Sequence, residues 1–299
     1  MKSGFVTIVG RPNVGKSTLM NTAIGEKIAI VSEKPQTTRT RIQGIYTSPE
    51  GQIIFIDTPG IHKPKHLLGE YMVKVSTRSL EEVDLIYYMT DVSRSFGGGE
   101  QFILNQLKDA TVPIFLLVNK IDLADEIRVE EHIKDFTSQM NFAEIICLSA
   151  VLGTNISELL EKTYTYLPEG PLYYPEDDLT DQPVSFIAAE LIREKALILT
   201  RDEVPHSLAV EIEEFDSHAA KGKTYLRAVI YTERDSQKGI IIGKNGQMLR
   251  NIGEQSRQDI EAMLGRPVYL DLWVKVKKNW RDNEMNLKQL GYRFSGGDY

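Results

Sequence analysis

A loop rich in glycine near the start of the chain constrains the fold more than any other feature. Residues 10–17 read GRPNVGKS and fit the spacing G-x-x-x-x-G-K-[ST]. The loop follows the apolar run FVTIV and opens the helical pattern STLMNTAIG, which is the context that a phosphate-binding loop requires. Backbone N–H groups of such a loop point at phosphate oxygens, and the helix adds the positive end of its dipole. The sequence therefore predicts an α/β domain that binds phosphate.

Apolar runs and helical patterns alternate through the first half of the chain. The runs FVTIVG, IQGIYT, IIFIDT, LIYYMT, IFLLVN and IICLSA are predicted strands, and several are continuously apolar, as strands buried on both faces are. Helical patterns, among them SLEEV (79–83), lie between them. This alternation predicts a mainly parallel sheet covered by helices. We assign residues 1–170 to this domain and the acidic, proline-containing stretch 171–182 to a linker.

Residues 183–299 follow a different pattern. A helical pattern comes first, and two alternating segments, SLAVEIEEF and YLRAVIYTE, follow it. The loop GKNG (243–246) then leads into the helical pattern QMLRNIGEQSRQDIEAML and a last alternating segment, PVYLDLWVKVKK. The order predicts a smaller α+β domain that begins with a helix. We expect Trp273 to lie in the core in preference to serving as a stacking platform, whereas Trp280 is compatible with either role.

The charge distribution indicates where an anionic partner would bind. The net charge is −7, which argues against a protein coated in nucleic acid. Residues 176–216 nevertheless contain twelve acidic and three basic side chains, and residues 236–281 contain nine basic and four acidic ones.

The single cysteine, Cys147, excludes an intramolecular disulfide framework. Without a signal-peptide pattern or an apolar stretch of about 18 residues, the chain is predicted to be cytoplasmic.

Further motifs assign roles around a bound nucleotide. Lys16 can reach the β- and γ-phosphates, and the Ser17 hydroxyl can bind magnesium. FIDTPG places the Asp57 carboxylate at a strand end, where it can hold the magnesium shell, and places the Gly60 N–H near the γ-phosphate. LLVNKID identifies the base, because the Asp122 carboxylate can accept two hydrogen bonds from guanine that adenine cannot donate.

Two more segments complete the predicted nucleotide site. Asn119 is expected to tie the base-reading loop to the phosphate loop, and the Lys120 stem to cover the face of the base. LSA places the Ala150 N–H where it can reach the guanine oxygen. The predicted nucleotide-binding residues are Gly10, Asn13, Val14, Gly15, Lys16, Ser17, Thr18, Asp57, Asn119, Lys120, Asp122, Ser149 and Ala150.

From residue 4 to about 170 these motifs, in this order, resemble the GTPase domain of the Ras-like superfamily, in its branch related to translation factors. The resemblance implies a first switch segment in KPQTTRTR, in which Thr38, in preference to Thr37, completes the magnesium shell of bound GTP. It implies a second switch segment in GIHKPKHLLG (60–69). The predicted magnesium ligands are Ser17, Thr38 and Asp57.

Two positions bear on catalysis within this resemblance. Ras-like proteins place a water-orienting glutamine after the DxxG glycine, whereas this chain has Ile61, so that intrinsic GTP hydrolysis is expected to be slow or to rely on another group. Asn13 matches the asparagine with which relatives hold a potassium ion at the phosphates. The predicted catalytic residues are Lys16, Asn13, Thr38 and Gly60.

The segment GIIIGKNGQMLRNIG resembles the signature of KH domains, which consists of an apolar pair, a GxxG loop and a helix. The GxxG loop of KH domains clamps about four nucleotides by their backbone. The alternative is that GKNG is only a tight turn before a helix, and the VKVKK segment only a solvated face. The predicted RNA-binding residues are Ile242, Gly243, Lys244, Asn245, Gly246, Lys275, Lys277 and Lys278.

A single GTPase domain followed by a KH domain resembles the Era family of bacterial ribosome-assembly GTPases over the whole chain. The resemblance implies GTP and GDP as ligands, magnesium as cofactor, binding to the 3′ end of 16S rRNA and action in 30S subunit assembly. It also implies a monomer and a peripheral association with the inner membrane. Two alternatives stay open: a constitutive RNA-binding module with a structural nucleotide, or another P-loop enzyme such as a kinase, against which the guanine-reading loop argues.

Overall fold

The protein folds as two compact units in a computed structural model that describes residues 1–32, 34, 36–60, 64, 66–81, 83–201, 204–217 and 222–292. The first unit comprises Met1–Ala29, Thr38–Lys63 and Met72–Asp181. The second comprises Ile30–Thr37, Pro64–Tyr71 and Gln182–Tyr299. Among the described residues, no helix combines the length and the apolar character needed to cross a bilayer.

The strands in the described part of the first unit are β1 (Lys2–Val9), β2 (Ile42–Ser48), β3 (Gly51–Asp57), β4 (Leu85–Asp91), β5 (Ile114–Asn119) and β6 (Glu144–Leu148). They form one sheet in the order β2-β3-β1-β4-β5-β6. Neighbouring strands are parallel except β2 and β3, which are antiparallel. Every residue of β3, β4 and β5 is buried, as their continuously apolar sequences predict. The prediction of a mainly parallel sheet is confirmed.

The helices that follow these strands in sequence are α1 (Lys16–Ile24), α2 (Leu67–Arg78), α3 (Gly98–Leu107), α4 (Glu126–Thr137) and α5 (Ile156–Tyr166). The prediction of a helix over SLEEV is wrong, because α2 ends before it and residues 79–81 form a turn. The apolar spacing that makes a helix lies one segment earlier, in the buried side chains of Leu68, Tyr71 and Met72.

The parallel strands carry their polar residues to one edge of the sheet. Asp57 ends β3 beside Ile8 of β1, and Asp91 at the end of β4 lies opposite Asn119 at the end of β5. Carboxyl ends of parallel strands meet at the same edge, which is where open α/β sheets bind their ligands. The phosphate loop leaves β1 at this edge, so that the predicted nucleotide-binding residues converge there.

The predicted linker contacts β2 and β3 of the first unit in part. The Gln52 side chain donates to the Tyr174 carbonyl at 3.0 Å, and the Tyr174 hydroxyl donates to the Gln43 side chain at 3.0 Å. The Thr180 hydroxyl donates to the Gln43 carbonyl at 2.6 Å. These bonds hold the stretch from Tyr174 to Thr180 against the sheet.

The described elements of the second unit are α6 (Val184–Leu199), β7 (Ala209–Asp216), β8 (Thr224–Thr232), α7 (Asp235–Ile242), α8 (Gln247–Leu264), β9 (Val268–Val276) and α9 (Glu284–Gln289). Strand β8 lies between β7, to which it is antiparallel, and β9, to which it is parallel. Leu191 of α6 and Ile260 of α8 belong to one core with Leu226 and Ala228 of β8. The predicted α+β unit that begins with a helix is confirmed.

The two tryptophans lie in opposite environments. Trp280 is fully buried, and its indole N–H donates to the Ser207 carbonyl at 2.8 Å. Trp273 is 54% exposed, so that the prediction of a core position for it is wrong. Side chains alternate between the two faces of a strand. Val274 belongs to the core, and Trp273 therefore lies on the opposite face of β9.

Candidate functional site

The phosphate loop surrounds the amine of Lys16. Lys16 is the first residue of α1 and only 6% exposed, and its Nζ donates to the carbonyls of Arg11 at 3.2 Å and Gly10 at 3.4 Å. Val14 is buried beneath the loop. Burial lowers the pKa of Lys16, and the charge of Asp57 opposes that shift. Phosphate oxygens would therefore meet an ammonium group that the loop already holds in place.

Three side-chain oxygens meet beside this lysine. The Ser17 hydroxyl donates to Asp57 Oδ2 at 2.5 Å, the Thr38 hydroxyl donates to the same atom at 3.3 Å, and the two hydroxyls lie 3.0 Å apart. Hydroxyl and carboxylate oxygens are the ligands that Mg²⁺ prefers, and it usually takes only a few from protein because phosphates and water supply the rest. The donor set therefore fits a magnesium ion bound together with a nucleotide.

Thr38 and Thr37 have different surroundings. The Thr37 hydroxyl donates to the Lys34 carbonyl at 2.6 Å, whereas Thr38 reaches Asp57. The geometry favours Thr38 as the switch threonine. Burial raises the pKa of Asp57, against the opposing effects of Lys16, Ser17 and Thr38. A bound divalent cation would supply positive charge where this buried carboxylate needs it.

Asn119 connects three segments of the site. Its Nδ2 donates to the Val14 carbonyl at 2.7 Å, and its Oδ1 accepts the Ala150 N–H at 2.9 Å. Gly15 has a φ of +107°, and a Cβ added there would lie 2.3 Å from Asn119 Nδ2. Only glycine combines this backbone angle with so close an approach. The predicted base-reading loop, the phosphate loop and the segment after β6 are thereby held together.

Lys120 is held by a residue that sequence reasoning did not identify. Its Nζ donates to the Asn13 carbonyl at 3.1 Å and lies 2.7 Å from Asp91 Oδ2. Asp91 Oδ1 accepts the N–H and the hydroxyl of Ser93, and Arg94 Nε lies 3.4 Å from Oδ2. A carboxylate at the end of β4, at the same sheet edge as Asp57, was the signal that could have identified Asp91.

The remaining predicted nucleotide-binding residues lie around Asn119 and Lys120. Asp122 is exposed in a short 3₁₀ turn after β5, and Thr18 lies half-buried in the first turn of α1. Ser149 is buried, and its hydroxyl accepts the Leu152 N–H at 3.3 Å. Because the Ala150 N–H already has Asn119 as acceptor, its hydrogen bond to guanine stays a prediction.

Gly60 lies against the phosphate loop. A Cβ added to it would lie 2.7 Å from Pro12 Cγ, which places the DxxG glycine beside the position expected for a γ-phosphate. Ile61 and residues 62, 63 and 65 of the predicted second switch segment lie outside the described residues. The expectation that Ile61 leaves the attacking water without an orienting group stays a prediction.

The GxxG loop connects α7 and α8 in the second unit. Gly243 has a φ of +70°, and a Cβ added there would lie 2.7 Å from the Met248 Cβ. Lys244 and Asn245 at the tip are exposed, whereas Ile242 and Gly246 are half-buried. The loop therefore presents its charged and polar tip to solvent.

A groove of about 380 Å³ lies beside this loop, between α8 and β9. Leucines from both elements give it an apolar floor, and two arginines stand at its sides. Its lining residues are Gly246, Leu249, Arg250, Gly253, Glu254, Arg257, Leu270 and Leu272. An apolar floor with basic sides fits nucleotide bases and their phosphates.

The three lysines on and after β9 that are predicted to bind RNA differ in their interactions with neighbouring side chains. Lys275 Nζ lies 2.6 Å from Glu213, and Lys277 donates to Gln289 at 2.7 Å and lies over the Tyr231 ring. Lys278 is exposed. The charge of Lys275 is offset by its partner, so that Lys278 and Lys244 are the more accessible cations for a phosphate backbone.

Family models match both parts of the chain. A model described as 50S ribosome-binding GTPase matches residues 5–120, and a model described as KH domain matches residues 203–281. The GTPase match begins in β1 and ends at Lys120, and the KH match includes the GxxG loop, α8 and β9.

Similar proteins match almost the whole chain. GTPase Era of Caldanaerobacter subterraneus is 54% identical over 291 residues, which are 97% of this chain and 98% of that protein. Two solved structures are each 43% identical and cover 98% of this chain and 99% of the other. One is an Aquifex aeolicus Era variant bound to GDP·AlF4⁻, with a TM-score of 0.94. The other is Era with MgGDPNP and nucleotides 1506–1542 of 16S ribosomal RNA, with a TM-score of 0.95. The chain belongs to the Era family of GTPases.

Proposed function

We propose that the chain binds and hydrolyses GTP and binds the 3′ end of 16S rRNA in the assembly of the 30S subunit. The observation that carries the proposal is the junction formed by Asn119, which joins a guanine-reading loop to a phosphate loop in a chain that also bears an exposed GxxG tip. A kinase has no use for a guanine-reading loop. The Era structure with MgGDPNP and a 16S rRNA segment supports both ligands.

Different residues of the site would bind the phosphates and the magnesium ion. Lys16 holds the β- and γ-phosphates, and the Gly60 N–H faces the γ-phosphate. Ser17, Thr38 and Asp57 would hold Mg²⁺, which offsets the negative charge that develops as phosphoryl transfer proceeds. In the absence of a water-orienting side chain at Ile61, positioning of phosphates and charge stabilisation account for the rate.

A potassium ion at Asn13 is part of this proposal. The Asn13 backbone has a φ of +67°, and its carbonyl accepts the Lys120 ammonium. Replacing sodium by potassium is expected to raise the GTP turnover number about tenfold, because a bound cation adds charge stabilisation in the transition state. Asn13→Ala should remove the difference between the two salts. Equal turnover of the unsubstituted protein in NaCl and KCl would contradict the potassium site.

The RNA site is tested by reversing charge at the GxxG tip. Lys244→Asp/Asn245→Asp is expected to lower affinity for a 16S rRNA 3′-end RNA at least tenfold, about 1.4 kcal/mol, because carboxylates replace groups that face phosphates. Asn245 has a φ of +53°, which aspartate tolerates, so that the fold should be retained. Fluorescence anisotropy at fixed salt measures the affinity.

The chain offers a matched control for this double substitution. Asn105 and Lys108 are exposed on and just after α3 of the first unit, away from the predicted RNA-binding residues. Asn105→Asp/Lys108→Asp changes the net charge equally and should have the smaller effect. Equal losses of RNA affinity in both variants would show that RNA is bound by general electrostatic attraction. That result would overturn the assignment of the GxxG loop as the RNA-binding loop.

The same titration separates a switch from a constitutive RNA-binding module. Protein loaded with a non-hydrolysable GTP analogue is expected to bind the RNA at least fivefold differently from protein loaded with GDP, about 1 kcal/mol of coupling. Equal affinities would favour the module in which the nucleotide is mainly structural.

The organisation of the chain completes the proposal. We place a GTP-binding domain at residues 1–170, a linker at 171–182 and a KH domain at 183–299, in a monomeric cytoplasmic protein. Peripheral association with the inner membrane is supported by the family resemblance alone. Sedimentation velocity measures the oligomeric state and tests whether the protein is a monomer. Co-sedimentation with vesicles of anionic lipid tests whether it binds a membrane surface.

A further inference from the structure

The sheet of the second unit exposes aromatic side chains on the face opposite its core. Tyr269 is 60% exposed and Trp273 is 54% exposed, and both lie on β9. Leu270 and Leu272 alternate with them and line the groove beside the GxxG loop. Strand β9 thus contributes to that groove with one set of side chains and carries aromatic rings on its other face.

Hydrogen bonds among neighbouring side chains hold this aromatic face in one arrangement. Tyr225 stacks on Tyr269 with centroids 5.9 Å apart and an interplanar angle of 12°. Asp271, between Tyr269 and Trp273, accepts hydrogen bonds from the Tyr225 hydroxyl at 3.2 Å and from Arg227 Nε at 3.2 Å, and its carboxylate interacts with the Trp273 side chain. Rings that are already ordered lose little conformational entropy when a ligand binds.

The position and charge of this face favour single-stranded RNA as its occupant. In the described part of the chain β9 pairs only with β8, so that it is an edge strand. An RNA strand lying in the groove runs beside that free edge. Lys278 is exposed just after β9. The carboxylates on this face are paired with cations, Glu213 with Lys275 and Asp271 with Arg227. Ordered aromatic rings next to an exposed cation are a combination that binds single-stranded nucleic acid without sequence preference.

We infer that Trp273 and Tyr269 form a base-stacking subsite for RNA that continues beyond the groove. The inference rests on the proposed RNA-binding function and extends it to nucleotides outside the GxxG clamp. The two rings are four residues apart, about 13 Å along a strand. They therefore receive two different bases, and any base suits them because every base has a flat aromatic face.

The test uses two RNA lengths and the fluorescence of Trp273. The short RNA is the smallest 3′-end fragment whose affinity Lys244→Asp/Asn245→Asp lowers at least tenfold, and the long RNA extends it by several nucleotides at both ends. The signal of Trp273 is obtained by subtracting the spectrum of Trp273→Phe, since Trp280 is buried and remains in both proteins. The long RNA should quench Trp273, and the short RNA should not.

Affinity gives a second readout. Trp273→Ala should weaken binding of the long RNA about tenfold and leave the affinity for the short RNA unchanged. Trp273→Phe should keep most of the extra affinity for the long RNA, because phenylalanine still offers a ring for stacking. Phe102→Ala, which removes an aromatic ring that is 48% exposed in the first unit, is the control and should have no effect.

Several results would overturn the subsite. They are an unchanged affinity of Trp273→Ala for the long RNA, an equal loss for both lengths, and a concentration-dependent sedimentation coefficient that Trp273→Ala removes. The last would assign the face to contacts between copies of the chain. Each of these results would leave the proposed function intact. The proposed function fails only if the unsubstituted protein binds neither RNA, or if the GxxG substitutions do not change its RNA affinity.

Discussion

Replacing Asp122 by asparagine is expected to lower the affinity for guanine nucleotides by about 10⁴-fold and to make xanthine nucleotides the preferred ligands. A site built to hydrogen-bond a particular group rejects an analogue that leaves its polar atoms unpaired, and the discrimination is of this order. Asp122 is exposed in the turn after β5, next to the loop that Asn119 and Lys120 tie to the phosphate loop. Its carboxylate has no donor to offer, whereas an asparagine amide donates to the extra carbonyl of xanthine.

The measurement is a set of dissociation constants for GDP, XDP and ADP, with Asp125→Asn as the control. Asp125 lies three residues further on and caps α4 by accepting the Arg128 N–H at 2.8 Å, a role that asparagine fills equally well. Asp125→Asn should therefore bind GDP like the unsubstituted protein. A preference for guanine that survives in Asp122→Asn would show that another group reads the base.

Lys16→Met is expected to weaken GTP binding by about 10²- to 10⁴-fold and to abolish measurable turnover. The ammonium is the charged donor within the phosphate loop, and each hydrogen bond to a charged group contributes about 1.5–3 kcal/mol. Methionine keeps an unbranched apolar stem in a position that is only 6% exposed, so that the loop loses the charge and keeps its packing. Nucleotide affinity and GTP turnover are measured together.

Thermal unfolding of the nucleotide-free protein separates this effect from a loss of fold. The pKa of Asp57 is raised by burial and held down by the charge of Lys16, so that Lys16→Met should raise it further. The Ser17 and Thr38 hydroxyls still donate to Asp57 in the variant, so that the nucleotide-free protein should unfold near the temperature of the unsubstituted protein. Lys108→Met, an exposed lysine just after α3, is the control. A GTP affinity within twofold of normal in Lys16→Met would refute the role of Lys16.

Local patterns in the sequence were sufficient for most elements of the fold. The helical pattern QMLRNIGEQSRQDIEAML corresponds to α8, residue for residue, because its apolar spacing is helical and glycines with positive φ lie at both ends. The spacing of GRPNVGKS and the strand-end positions of Asp57 and Asn119 likewise predicted which residues meet at the sheet edge. These features depend on backbone geometry within a few residues.

Features that depend on contacts between distant segments needed the structure. The hydrogen bond from Thr38 to Asp57, the partnership of Asp91 with Lys120 and the exposure of Trp273 each depend on residues that are far apart in sequence. An alternating strand shows which side chains share a face, but only the packing of α6 and α8 decides which face is buried. The sequence by itself therefore determined the phosphate loop, the predicted guanine-reading loop and the order of most strands and helices along the chain. The tertiary structure alone decided which neighbours position Lys120 and which face of β9 stays open, because those depend on packing between elements rather than on local pattern.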